Sequence, residues 1–262
     1  MYELEVKALV EKVGREVARL FFSERSETQF KKDDSPLTEA DLIAHKMIVE
    51  GLQDLSGEAV ISEEDPAHAK VQKGKRYWLV DPIDGTRDFV AKQNTFVICV
   101  SLIEGEYPLF GLIHAPVTGK TWWAERGRGA FGPNGELIYN RSTRSKLIAA
   151  GSRSKPSVKM EELYVEFGIE EIIRFGSALK FCKVAEGEMD LYPRFGPTSE
   201  WDTAAGQIIA EEAGCEVWDL KTGDRLKYGK PDYLNQGGFI VFRRDLAPWV
   251  EKYRTHQLQN DR

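Results

Sequence analysis

The chain has 262 residues, with 36 Lys plus Arg against 42 Asp plus Glu and a formal net charge of −6. A chain of this length predicts one large domain or two closely packed ones, with enough interior to fold without disulfide or zinc staples. The acidic balance argues against a nucleic-acid polymer or an anionic membrane surface as partner, and leaves a small anion in a local pocket open.

Val6, Leu9, Val10, Val13, Val17, Leu20 and Phe21 recur at intervals of three and four, which predicts an amphipathic helix over residues 2–22. The polar stretch 23–36 reads as a mobile loop. Residues 38–55 read as a second helix carrying Leu42, Met47, Ile48 and Leu52. Apolar runs at 59–61, 76–80, 95–103 and 109–115 read as strands, the last two joined by a hairpin at Glu104-Gly105-Glu106. Strand-like sequence continues through 121–125 and ends near Tyr139. The polar segment Asn140–Lys146 marks an expected boundary between an N-terminal α+β half, 1–143, and a C-terminal α/β half, 144–262, packed as one unit. Beyond it, strands at 147–152, 172–176, 189–194, 216–218 and 238–242 are interspersed with helices at 156–167, 177–187, 201–213 and 244–255. Helices and strands in both halves indicate layered α/β packing.

Cys99, Cys182 and Cys215 are odd in number, far apart and without a CxxC. They argue against a disulfide framework and for a reducing compartment. The N-terminus lacks the basic and apolar regions of a leader, and no apolar run approaches the ~18 residues of a membrane span. A cytoplasmic location is expected, with peripheral association at the inner membrane left open.

The strongest local signal is Trp78-Leu79-Val80-Asp81-Pro82-Ile83-Asp84-Gly85-Thr86. A buried strand runs into Asp-Pro, where proline cannot continue the ladder and bends the chain. Asp81 and Asp84 then face one point across a turn. Two hard oxygen donors suit Mg²⁺, and the same pair also suits an Asx-type turn. Gly85 admits close approach of a phosphate. Ser62-Glu63-Glu64-Asp65 puts acids at a second strand end, which taken alone reads as a solvated loop. Thr38-Glu39-Ala40-Asp41 has the spacing of a capping box. In Ser199-Glu200-Trp201-Asp202, Ser199 would cap a helix and Asp202 sit in its first turn. Together the four clusters occupy the places where open α/β sheets bind ligands. Gly127–Gly132 matches GxGxxG, but Pro-Asn-Gly follows it instead of a helix, so it reads as a β-turn. The four histidines form no metal-spaced motif.

LTEAD (37–41), ISEED (61–65), DPIDGT (81–86) and EWDTAAGQIIAEEAG (200–214) stand in one order along the chain. In that order they resemble the Mg²⁺-dependent, lithium-sensitive phosphatases of the inositol monophosphatase family. The run GSALKFCKVAEGEMDLYPRFGPTSEWDTAAG (176–206) is most similar to that family's bacterial 3′(2′),5′-bisphosphate nucleotidases. The resemblance implies a layered αβαβα sandwich. It implies that Glu63, Asp81, Asp84 and Asp202, with the Ile83 carbonyl, hold two or three Mg²⁺ ions. Asp41 and Thr86 would orient and deprotonate the attacking water, with Glu63 among the catalytic residues, and Gly85, Thr86 and Asp202 would also meet the substrate. Cations there acidify water and offset the repulsion between clustered carboxylates and a phosphate.

Ser177 and Lys180, one turn apart, and Arg194 match residues that hold a second phosphate; inositol monophosphatases typically carry an acid near the place of Arg194. The implied reaction removes the 3′-phosphate of adenosine 3′,5′-bisphosphate to give AMP, a recycling step of sulfur assimilation. An inositol or fructose phosphatase of the same family is the nearest rival, and a noncatalytic nucleotide- or phosphate-binding regulator is the rival from another class. The expected partner is a small phosphorylated substrate, with the chain a monomer or homodimer. Two departures stand out: Cys215, where many relatives have glycine, and Arg87-Asp88, where Asp88 either adds charge near the metals or points outward.

Overall fold

The computed structural model describes residues 2–23, 28–30, 36–65 and 75–260. α1 (Glu3–Phe22) buries Val6, Val10, Val13 and Val17 along one stripe, and it packs on α2 (Glu39–Ser56), which buries Ala40, Ala44, Ile48 and Leu52. The pair covers a seven-stranded sheet whose strands follow chain order: Ala59–Ser62, Arg76–Asp84, Val97–Glu104, Tyr107–Ala115, Lys120–Glu125, Gly129–Phe131 and Leu137–Ile138. Only the first pair is parallel. Successive side chains take opposite faces. Trp78, Val80, Ile98, Val100 and Leu112 therefore join the two helices, while Tyr77, Leu79, Val97, Cys99 and Ile113 point to a second interior.

A short helix, α3 (Thr86–Val90), follows the Arg76–Asp84 strand directly, and α4 (Val158–Glu166) belongs to the second half of the chain. α5 (Leu179–Ala185) and α6 (Ala204–Glu212) fill the second interior. Its far wall is a five-stranded sheet in the order Glu171–Arg174, Ile148–Gly151, Leu191–Arg194, Phe239–Arg243 and Cys215–Asp219. That sheet divides in the same way: Ala150, Tyr192, Val217, Phe239 and Val241 face α5 and α6, whereas Ala149, Leu191, Ile240 and Phe242 meet α4 and α7 (Ala247–Asn260). Among the described residues three hydrophobic clusters thus hold five layers together, the middle one spanning both faces of the α5–α6 layer, in the αβαβα sandwich that the sequence led us to expect. Burying each large aliphatic or aromatic side chain contributes roughly 1.5–3 kcal/mol, so these cores outweigh the scattered surface ion pairs.

Three expectations need correction. Within the supposed loop 23–36, Thr28–Phe30 pairs antiparallel with Pro36–Thr38; residues 24–27 and 31–35 of that stretch lie outside the described residues. The Arg76–Asp84 strand does not stop at Pro82. Its pairing with Val97–Glu104 shifts register between Asp81 and Asp84, a bulge that accommodates the missing N–H. The helix expected from Trp201 begins at Ala204, because Asp202 is held in the preceding turn. Among the described residues no helix is long and apolar enough to cross a membrane.

Candidate active site

The bulge and the parallel pairing bring two acid-bearing segments together. Asp81 Oδ1 accepts the Ile83 N–H at 3.0 Å, so the Asx-type turn is real and fixes the carboxylate. Glu63 follows the neighbouring strand, and its N–H donates to the Val80 carbonyl at 3.1 Å. From the other half of the molecule, Asp202 reaches the same place, held by the Ser199 N–H on its Oδ2 at 2.9 Å. One carboxylate oxygen from each of Glu63, Asp81 and Asp202 lies within 4.8 Å of the others. Asp84 borders the same cavity and accepts a short hydrogen bond from the Ala178 N–H. The cavity measures about 790 Å³.

Burial pushes the Asp81 and Asp202 carboxyls well above the usual carboxylate range, and their acidic neighbours push further, Glu63 foremost for Asp81 and Asp84 for Asp202. Burial also raises Asp84, to about 6, against the opposing pull of Lys180 and the Ala178 N–H. Such a cluster is costly as bare anions. A hard divalent cation removes that cost and prefers an all-oxygen donor set, so these residues fit Mg²⁺.

Asp41 confirms the bland reading and exceeds it. Its Oδ2 accepts from the Thr38 N–H at 2.8 Å in a complete capping box, and its Oδ1 accepts the Thr86 hydroxyl at 3.3 Å. The same hydroxyl lies 3.0 Å from the Ile83 carbonyl. Gly85 links the two segments at φ +97°, a conformation that favours glycine, with Phe96 and Ser177 packed close by.

Ser177, Lys180 and Arg194 all line the cavity. Ser177 sits at φ +61° and gives its hydroxyl to the Thr95 carbonyl. The Lys180 ammonium is buried, donates to the carbonyls of Ser177 at 2.6 Å and Phe175 at 3.3 Å, and lies over the Tyr192 ring. Burial lowers it to about 8 despite the attraction of Asp84. Arg194 Nη1 donates to Ser152 Oγ at 3.2 Å, while its buried Nε has no partner.

Residues 1–259 match the inositol monophosphatase family model. This chain belongs to that family. The family is Mg²⁺-dependent, and this member is a phosphatase. Among curated relatives it is 43% identical to the 3′(2′),5′-bisphosphate nucleotidase CysQ of Salmonella typhimurium, over 79% of this chain and 85% of the relative. Among solved structures it is similar to CysQ from Bacteroides thetaiotaomicron, with 32% identity, a TM-score of 0.78 and coverage of 92% and 95% of the two chains. An IMPase from Thermotoga maritima aligns at 28% identity and a TM-score of 0.80 over 99% of each chain.

Within this inositol monophosphatase framework two further acids act as supports. Asp88, expected either to add charge near the metals or to point outward, does add negative charge beside Asp84, and Glu200 had no role in the sequence reading. Asp88 neither points outward nor stands alone: it is buried, accepts from the Thr95 hydroxyl, and lies 3.4 Å from Arg153 Nε. Arg153 Nη2 also donates to Thr95 Oγ1 at 2.9 Å, tying the two halves together beside the cavity. Glu200, fully buried, accepts the Gly229 and Lys230 N–H groups at 2.9 and 3.0 Å and anchors the turn that presents Asp202. The only signal for either was adjacency, Asp88 to the DPIDGT motif and Glu200 to Asp202.

Proposed function

We propose that this phosphatase removes the 3′-phosphate of adenosine 3′,5′-bisphosphate, yielding AMP and inorganic phosphate. Glu63, Asp81, Asp84 and Asp202, with the Ile83 carbonyl, would hold two or three Mg²⁺ ions. When bound, these ions acidify water and neutralise charge on the phosphate. Asp41, paired with the Thr86 hydroxyl, accepts a proton from the attacking water. The water oxygen bonds to phosphorus, the bond from phosphorus to the ribose 3′-oxygen breaks, that oxygen takes a proton from solvent water, and the proton held by Asp41 returns to solvent. Gly85 gives the phosphate room beside the backbone, and the buried Lys180 offsets Asp84.

One observation carries the choice of a doubly phosphorylated substrate. Arg194 lines the cavity that holds the carboxylates, makes no ion pair among the described residues, and keeps an unpartnered Nε. A second phosphate supplies the missing acceptor, and the identity to CysQ supports the same reading. The three buried free thiols of Cys99, Cys182 and Cys215 suit the proposed cytoplasmic location.

The test is phosphate release with Mg²⁺ from adenosine 3′,5′-bisphosphate, inositol monophosphate and fructose 1,6-bisphosphate, with Asp84→Asn as the control for contaminating activity. Preference for the nucleotide supports the proposal. Release confined to inositol monophosphate or fructose bisphosphate assigns the rival substrate, and tight nucleotide binding without any release points to a regulator.

A further inference from the structure

α2 reaches the acid cluster through a second side chain besides Asp41. One turn further along, on the same face of the helix, stands the half-buried His45. Its Nδ1 and the Ser62 hydroxyl share a hydrogen bond of 2.8 Å, the tautomer of the ring setting which of them donates. Ser62 is buried and ends the Ala59–Ser62 strand on the face of Val60, towards the two helices. Its carbonyl accepts the Asp65 N–H at 3.1 Å and closes the turn that contains Glu63. Glu63 is therefore presented by a turn whose first residue is fastened to α2 by its side chain. Burial lowers His45 from its usual value against the attraction of Asp65, so at pH 8 the ring acts through its hydrogen bond and not through charge.

We infer that His45 is a positioning residue for the metal-binding carboxylates: through Ser62 it fixes the turn that carries Glu63, and so holds Glu63 in register with Asp41. The inference deepens the function proposed above and rests on it for Glu63 as a Mg²⁺ ligand. Four residues of helix separate Asp41 from His45, about 6 Å along the axis. Asp41 grips the turn after the Arg76–Asp84 strand through Thr86, and His45 grips the turn after the neighbouring strand through Ser62. One helix thus spans both turns that bring acids to the cavity, and it sets their separation. The Glu63 N–H bond to the Val80 carbonyl fixes the end of the strand, and the Ser62 side chain steadies the turn beyond it. A ligand held in place before the ion arrives loses less freedom when the ion binds.

The experiment follows the rise in Tm of the intact protein as Mg²⁺ is added at pH 8, beside the Mg²⁺ needed for half-maximal phosphate release from adenosine 3′,5′-bisphosphate. The variants are His45→Asn, His45→Gln, Ser62→Ala and Glu63→Gln, and Tm without Mg²⁺ shows that each one folds. The Asn amide can take the place of Nδ1, whereas the Gln amide takes that of Nε2 and better fills the volume of the ring. His45→Gln and Ser62→Ala are each expected to raise the Mg²⁺ requirement roughly 10- to 100-fold, the scale for losing a group that orients a metal ligand. His45→Asn should recover most of that loss. His45→Gln combined with Ser62→Ala should lose no more than either alone, because both remove the same bond.

A role in packing alone reverses the order of the two histidine variants, so His45→Gln matching or exceeding His45→Asn overturns the inference. So does Ser62→Ala with the Mg²⁺ dependence of wild type. If Glu63→Gln shifts the Mg²⁺ dependence and His45→Gln does not, the inference is wrong and the ligand assignment stands. If Glu63→Gln leaves that dependence unchanged, the ligand assignment is wrong and the inference falls with it. The Tm measurement uses no substrate, so these outcomes hold whichever phosphorylated compound the enzyme turns over.

Discussion

Thr86 donates its hydroxyl to Asp41 Oδ1 at 3.3 Å, which joins the turn after the Arg76–Asp84 strand to the N-terminus of α2. The other carboxylate oxygen of Asp41 is spent on the capping box. One side chain therefore serves both helix start and proposed chemistry, and the two roles are separable. Asp41→Asn keeps a carbonyl oxygen for the Thr38 N–H but loses the charge that accepts a proton. We expect kcat to fall by about 10²–10⁴-fold, as for removal of a general base. The stability cost should stay near ~1 kcal/mol, the scale of a weakened cap. Steady-state kinetics beside urea unfolding would check this; a loss of activity no larger than the loss of folded protein would reduce Asp41 to a cap.

At the proposed cluster the raised carboxyls would give Mg²⁺ a pH-dependent grip. Asp81, Asp84 and Asp202 all have folded-state values above the unfolded value of 3.8, Asp84 at about 6. Between those limits the folded metal-free protein binds more protons than the unfolded chain, so these groups contribute less stability as pH rises. His114 acts oppositely. Burial lowers it to about 4, so it costs stability as pH falls from about 6.5 toward 4. Mg²⁺ must displace the carboxyl protons, and so binds better at higher pH. The rise in Tm on adding Mg²⁺ should be larger at pH 8 than at pH 5, a difference from which the histidine contribution cancels. Equal rises at both pH values would mean that the cluster is not where Mg²⁺ binds.

The acid clusters could be placed at strand ends and a helix start because each stands beside a local punctuation mark: Pro82 and Gly85 after Asp81, Thr38 before Asp41, a strand end before Glu63. Taken singly they read as turn, cap or loop, and only the family resemblance implied one shared site. The layered fold was legible from periodicity, since Trp78 and Leu79 face different cores simply by being neighbours on a strand. What sequence could not show was long-range. That Arg153 reaches Asp88 and Thr95 depends on how the two sheets stand relative to each other. The strand running on past Pro82 was hidden for a different reason. A bulge is a property of the pairing with Val97–Glu104, and no local residue pattern announces it.

Gly176 exposes the tightness of one such long-range contact. A Cβ built there would lie 2.0 Å from Asp88 Oδ2, and that carboxylate is anchored by Thr95 and Arg153 rather than free to swing away. Gly176→Ala should destabilise by ~1–3 kcal/mol, the usual scale of overpacking. It should also loosen Ser177, whose hydroxyl bonds to Thr95. Urea unfolding of Gly176→Ala, alone and combined with Asp88→Ala, provides the check. Removing the Asp88 carboxylate should relieve most of the additional cost of the methyl group; additive losses would contradict this contact.

Arg194 and Lys180 should part company under mutation. Arg194 Nη1 is steadied by Ser152, and its Nε has no partner, so its spare donors suit a phosphate. Arg194→Ala should lower kcat/KM for adenosine 3′,5′-bisphosphate by roughly 100-fold, about two tenfold steps of 1.4 kcal/mol each, with a much smaller effect on a simple monophosphate. Arg194→Lys should recover only part of that loss, because an ammonium supplies charge without the planar fork. Lys180 instead sits buried where it holds Asp84 down. Lys180→Met removes that attraction, raises Asp84 further and weakens the proposed Mg²⁺ cluster, so turnover of both substrates should fall together. Comparing the two variants on the two substrates separates recognition of a second phosphate from support of the reaction centre. Equal losses on both substrates for Arg194→Ala would count against its assignment.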